Sequence, residues 1–255
     1  MRPVLLHIDR FNLTLPSFGV FLALGFLLSL VFLYFLCSKK GENFNLFLSL
    51  FLYVVLATLV GSRLIHVFLG DPGYYLKYPI EIFQIWRGGY SFLGGLIPAF
   101  LAIWIFAKKY NLPLLPTLDL LTLAFLPGQI LGYFGSFFAG SYFGRDTTMP
   151  WGVSFLDPKT YARPIGVPLH PTQLYQAFTL IILLFFLLSA FQKKEKPGKI
   201  FALYLFYFGL TRGIVDFFLA ESCRTFLIPN YFSSAQLFSI FMMATAIFLL
   251  KKIKA

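Results

Sequence analysis

The chain has 255 residues, 58% of them hydrophobic and 12% charged, with 34 phenylalanines and a formal net charge of +11. Soluble domains carry about a quarter charged residues, so this composition excludes an ordinary soluble fold and points to an integral membrane protein. Two cysteines (Cys37, Cys223) and three histidines (His7, His66, His170) indicate neither a disulfide framework nor a histidine-rich metal centre, and lysines facing anionic lipid account for the positive charge without nucleic acid.

The N-terminal stretch "MRPVLLHIDRFNLTLP" has no continuous apolar core and no small-residue cleavage site, so it is expected to be retained, with the first span directing insertion. Seven apolar segments follow, at roughly 15–37, 44–69, 91–107, 118–142, 172–191, 200–219 and 233–250. Most approach the length a helix needs to cross a bilayer, the third and seventh being the shortest, and none alternates as a barrel strand would. The sequence predicts an all-α integral membrane protein: one domain, residues 1–255, with seven transmembrane helices and ordered outer loops.

Charge gives the direction. Lys39, Lys40, Lys108, Lys109, Lys193, Lys194, Lys196, Lys199, Lys251, Lys252 and Lys254 share one face with only Glu42 and Glu195. The opposite face mixes Arg2, Arg10, Lys77, Arg87, Arg145, Lys159, Arg163 and Arg224 with six acidic residues. By the positive-inside rule the lysine face is cytoplasmic, which puts the N-terminus outside and the C-terminus in the cytoplasm. The connections on the lysine face are short. Those at 70–90 and 143–171 are longer and rich in Gly, Pro, Tyr and Trp, so function is expected on the outer side.

Four ionisable residues remain inside the spans: Arg63, Asp119, Arg212 and Asp216. A charge in hydrocarbon costs about 2.5–3.5 kcal/mol even on the lenient insertion scale, so each should face a partner or a polar cavity. In "FGLTRGIVDFF", Arg212 and Asp216 lie four apart on one helical face, as a structural ion pair or as part of a cationic pocket for an anionic headgroup. Asp119 opens a span, where the helix dipole favours an acid; structural and functional roles both remain open. His170 precedes "PTQ", a helix-start pattern, and either orients the loop or takes part in chemistry. The glycine pairs in "GGYSFLGGL" allow close backbone approach.

Taken together, "GGYSFLGGL", "FFAGSYFGRDTTMPWGVSF", "HPTQLYQA", "FYFGLTRGIVDFF" and "SSAQLFS" resemble, in order and spacing, the bacterial prolipoprotein diacylglyceryl transferases, over nearly the whole chain. The resemblance implies a multi-pass plasma-membrane enzyme whose site opens toward the outer leaflet. Its substrates would be phosphatidylglycerol and a prolipoprotein signal peptide with a lipobox cysteine. The thiol takes the diacylglyceryl group, glycerol 1-phosphate leaves, and the chemistry requires no metal or organic cofactor. It needs cations near the departing phosphate and a group that takes the thiol proton.

Transferred position by position, the resemblance marks Arg212, Asp216, Tyr133 and His170 as candidate catalytic residues. It marks Arg63, Arg145, Gly140, Gly144, Ser136, Ser141, Gln173 and Asp119 as candidates for lipid or phosphate binding. Tyr133 occupies a position where the family has arginine, with Gln129 as the gapped alternative. Leu93 stands for a histidine, Ser141 for an acid or cysteine, Phe18 and Phe208 for tyrosines, and Leu219 for an arginine. Three readings follow: a diacylglyceryl transferase with a reduced site, a related transferase with another acceptor or lipid, and a non-catalytic lipid- or lipoprotein-binding paralogue.

Overall fold

The computed structural model describes residues 2–8, 13–70, 72–84, 89, 91–224, 226–228 and 232–254. Asp9, Arg10, Asp71 and Arg87 of the less basic face, and Gly88 and Tyr90 of the first glycine pair, lie outside the described residues. In chain order, a hairpin of β1 (Val4–Ile8) and β2 (Leu13–Pro16) precedes α1 (Ser17–Lys40), α2 (Phe44–Leu69) and the short α3 (Pro72–Lys77). A 3-10 turn at Pro79–Phe83 leads to α4 (Phe92–Lys109) and α5 (Leu114–Ala139). Strands β3 (Val153–Ser154) and β4 (Pro168–Leu169) pair within the connection to α6 (Thr172–Gln192), which α7 (Lys199–Asp216) follows. The hairpin of β5 (Phe226–Ile228) and β6 (Phe232–Ser233) then leads into α8 (Ser234–Lys254).

The protein is an all-α membrane protein. Among the described residues, five helices are long and apolar enough to cross a bilayer: α1, α2, α5, α6 and α8. Seven long helices are present among the described residues, and the two outside that set are α4 and α7. Each has 18 residues, a rise of about 27 Å against a hydrocarbon core of about 30 Å. Helix α4 ends in Lys108 and Lys109, and α7 carries Lys199, Arg212 and Asp216. Large side chains such as Leu56, Phe185, Phe241 and Phe248 are exposed along the helices, as lipid-facing residues are.

Packing divides the chain into two compact units, Leu33–Thr117, and Met1–Phe32 with Leu118–Ala255. In the first, α2 packs against α4 through small residues. A Cβ on Gly61 would stand 2.5 Å from the Gly94 carbonyl oxygen, and one on Gly94 would stand 2.5 Å from Ile65 Cβ. Such close approach is how membrane helices gain dispersion contact where the hydrophobic effect offers little. Phe47, Leu50, Phe51, Ile103 and Phe106 fill this unit's core.

In the second unit α7 packs against both α6 and α8. Leu120, Leu123, Leu180, Leu183, Ala202 and Ala246 are buried there. A separate apolar cluster of Phe143, Phe155, Ala162 and Leu169 gives the connection between α5 and α6 its own core. This explains why so long a segment is ordered.

Candidate functional site

Helix α5 ends at Ala139 because Gly140 adopts φ +75°, a left-handed turn that side-chain-bearing residues rarely take. The Gly140 N–H donates to the Phe137 carbonyl at 3.2 Å and the Ser141 N–H to the Ser136 carbonyl at 3.0 Å. This is the 5→2 and 6→1 bond pair of a Schellman stop. Ser136, Gly140 and Ser141 thus terminate the helix. A Cβ at Gly140 would also overlap the Thr160 hydroxyl. Helix α6 is stapled to the same turn, since Gln173 Nε2 donates to the Ser141 carbonyl and Thr172 Oγ1 to that of Tyr142.

Next along the chain, residues 143–147 run between two other backbones. On one side the Gly144 N–H donates to the His170 carbonyl (3.0 Å), the His170 N–H to the Arg145 carbonyl (3.0 Å), and the Thr147 N–H to the Pro168 carbonyl (2.9 Å). On the other, the Arg145 N–H donates to the Phe218 carbonyl (2.9 Å) and the Ala220 N–H to the Phe143 carbonyl (3.1 Å). Gly144 lies in the tightest part: a Cβ there would stand 2.5 Å from both His170 Cβ and O, and 2.8 Å from Phe218 O. The ends of α5 and α7 and the start of α6 are therefore joined by main-chain bonds. The Arg145 guanidinium lies 5.9 Å over the Phe218 ring.

His170 is buried, and its Nδ1 is 2.9 Å from the Tyr175 hydroxyl, which accepts from Trp151 Nε1 at 2.8 Å. Burial, and then the Arg145 charge, hold the His170 pKa below its usual 6.5. Its ring packs edge-on against Phe218 at 5.2 Å.

The charged centre lies at the C-terminal end of α7. Asp216 is 1% exposed, and its Oδ2 accepts from the Ser233 hydroxyl at 2.6 Å and from Arg224 Nε at 3.1 Å. Arg212 Nη1 is 3.6 Å from Oδ1, and its side chain is 19% exposed. Arg224 and Ser233 were not among the expected site residues. Ser233 stands beside a helix start and inside a quoted motif, whereas Arg224 carried no signal beyond its charge. Tyr133 on α5 lies within electrostatic range of Arg212, and Gln129 accepts from the Tyr204 hydroxyl at 2.9 Å. Beside this centre Gln176 Nε2 donates to the Thr211 hydroxyl at 3.1 Å. Arg145, Arg163 and Arg224, with Asp146 and Glu221, line a pocket of about 330 Å³.

Asp119 and Arg63 both bind main-chain groups. Asp119 accepts from the Gly198 N–H (2.6 Å) and the Phe201 N–H (2.8 Å), so it caps the start of α7. It is about 26 Å along α5 from Ser136. A helix N-terminus in a dry interior needs an acceptor for its free N–H groups, and Asp119 supplies it. Arg63, in the Leu33–Thr117 unit, is buried and donates to the carbonyls of Glu81 (2.6 Å), Ile82 (3.1 Å) and Gly89 (3.2 Å), with Tyr75 5.3 Å beneath it. It ties down the segment after α3. Leu93 lies in the first turn of α4, and its side chain is outside the described set.

Residues 3–251 match the family model "Prolipoprotein diacylglyceryl transferase". The chain is similar to proteins named phosphatidylglycerol–prolipoprotein diacylglyceryl transferase from several bacteria. It is 33% identical to that of Wolbachia sp. subsp. Brugia malayi over 86% of this chain and 85% of the relative. It is 32% identical to that of Geobacter sulfurreducens over 87% and 84%. With the Ruegeria pomeroyi protein it shares 35% identity over 70% of this chain, a stretch that spans 62% of the relative's length. The match across nearly the whole chain makes this protein a member of the prolipoprotein diacylglyceryl transferase family.

Proposed function

We propose that this protein transfers the diacylglyceryl group of phosphatidylglycerol to the cysteine thiol of a prolipoprotein lipobox. The C–O bond between glyceryl carbon and phosphate breaks, a thioether C–S bond forms, and glycerol 1-phosphate leaves with the proton the thiol gives up. The observation that carries this reading is the guanidinium of Arg212, partly exposed and held beside a buried carboxylate within a helical membrane protein. A fixed cation in a dry site stabilises the charge that gathers on a departing phosphate. In this reading Arg212 meets the phosphate, Tyr133 and Asp216 flank it, and Arg145 receives headgroups at the mouth. Gly140, Gly144, Ser136, Ser141, Gln173 and His170 hold the frame.

All seven long helices span the bacterial plasma membrane in this reading, as one domain, with N-terminus outside and C-terminus cytoplasmic. The C-terminal lysines Lys251, Lys252 and Lys254 and the Lys193–Lys199 segment support that orientation. The site then opens toward the outer leaflet. Family membership favours transfer over the other two readings.

The test is a transfer assay in detergent with phosphatidylglycerol and a lipobox peptide, scoring peptide mass and glycerol phosphate. Wild-type protein is expected to add a diacylglyceryl mass, and Arg212→Ala to abolish transfer while remaining folded in the membrane. Absence of any mass gain from folded wild-type protein sinks the proposal, and an Arg212→Ala protein that fails to fold assigns the pair a structural role.

A further inference from the structure

The two arginines beside Asp216 are not equivalent. Arg224 Nε and the Ser233 hydroxyl both donate to Oδ2, at 3.1 and 2.6 Å. Arg212 is 3.6 Å from the other oxygen, outside hydrogen-bond distance. Arginine–carboxylate pairs are frequently bidentate, and a two-point contact engages the donors that a phosphate would need. Here that closure has not taken place.

The chain itself supplies the reason. After α7 it turns through a 3-10 segment at Glu221–Cys223 and brings Arg224 back against Asp216, its side chain 14% exposed. Ser233 is fixed in turn by Gln236, whose N–H donates to Ser233 Oγ at 3.1 Å while its Oε1 accepts from the Ser233 N–H at 3.2 Å. This reciprocal pair starts α8 and aims the hydroxyl at Asp216. Two donors from outside α7 therefore hold one carboxylate oxygen.

We propose that Arg224, together with Ser233, is a positioning residue that draws the Asp216 carboxylate away from Arg212 and leaves the Arg212 guanidinium to the substrate phosphate. The inference rests on the transfer reading above and deepens it. Two cations share one carboxylate, so the centre keeps a positive charge for an anionic headgroup, and Asp216 still keeps Arg212 from swinging out of its face of the helix. Sequence spacing alone pairs Arg212 with Asp216, whereas the fold gives the tighter contact to Arg224.

The experiment measures binding of short-chain phosphatidylglycerol, with short-chain phosphatidylcholine as control, to the full-length protein in detergent. Unfolding midpoints are recorded for each variant. Arg224→Gln is expected to weaken phosphatidylglycerol binding about tenfold, because Asp216 then closes on Arg212. Arg224→Lys keeps a cation for Asp216 and should recover most of the affinity. The double variant Arg224→Gln with Asp216→Asn should also recover, since a neutral amide no longer competes for Arg212.

Unchanged binding in Arg224→Gln overturns the proposal. So does a double variant as weak as Arg224→Gln alone, which would mean that Arg224 itself touches the phosphate. Should Arg224→Gln not fold, Ser233→Ala decides: a loss of about threefold is expected, and wild-type affinity refutes it. A wild-type protein that does not distinguish the two lipids removes the transfer reading and this inference with it. Selective wild-type binding with an indifferent Arg224→Gln removes this inference alone.

Discussion

Asp119→Ala removes both carboxylate oxygens from the start of α7 and leaves the N–H groups of Gly198 and Phe201 facing a buried site without their acceptor. A lost N-cap costs about 0.5–2 kcal/mol, and a buried hydrogen bond to a charged group about 1.5–3, so two such contacts at one helix end place the loss at about 2–4 kcal/mol. At about 2–4 °C per kcal/mol for a chain of this size, the unfolding midpoint should fall by roughly 5–15 °C. Asp119→Asn keeps one acceptor oxygen and should lose about half as much.

The assay is thermal unfolding in one detergent, paired with transfer kinetics at a temperature where both proteins are folded. The KM for phosphatidylglycerol should be unchanged, because Asp119 is about 26 Å along α5 from Ser136. A raised KM with an unchanged midpoint would refute this reasoning and return Asp119 to the lipid site.

Two further outcomes follow from the ladder around residue 144. Gly144→Ala puts a methyl group 2.5 Å from His170 and 2.8 Å from the Phe218 carbonyl. It should destabilise the protein by about 1–3 kcal/mol, read as a lower midpoint; a midpoint like wild type would show that the strands separate freely. His170 has a folded-state pKa below the 6.5 of the free group, so the unfolded chain takes up a proton first as pH falls. Its contribution to stability is therefore complete above about 6.5 and declines as pH drops through that value toward the folded pKa. Midpoints measured between pH 7.5 and 5 should fall more steeply in wild type than in His170→Gln, and parallel curves would exclude His170 as the source.

Much of the fold was legible because helices announce themselves locally. All seven apolar segments became helices within a few residues of their expected ends, and the lysines stood at α1, α4 and α8 termini as read. Arg212 and Asp216 shared a face as their four-residue spacing required. Partner choice over long separations was not legible. Asp119 meets an amide 79 residues away, and nothing in the local pattern distinguishes a cap for another helix from a ligand for lipid.

The signature turn was visible but its meaning was not. The resemblance marks Ser136, Gly140 and Ser141 for lipid binding, and the structure adds that they form a helix stop. A glycine directly after an apolar helix was the available signal. Likewise the span expected at 200–219 ends as a helix at Asp216, because Phe218 and Leu219 leave it to pair with residues 144 and 145.

That pairing bears on how the protein tolerates change. Amides and carbonyls are the same in every residue, so a junction built from them places few demands on the identity of the side chains it carries. Asp146, Thr148 and Met149 are exposed at and just beyond it. Bulk is excluded at Gly144. Side chains around Arg212 can therefore change without disturbing the brace that keeps three helix ends together. Inheritance of the scaffold and inheritance of the reactive groups are separable here, and the backbone bonds at 143–147 are the reason.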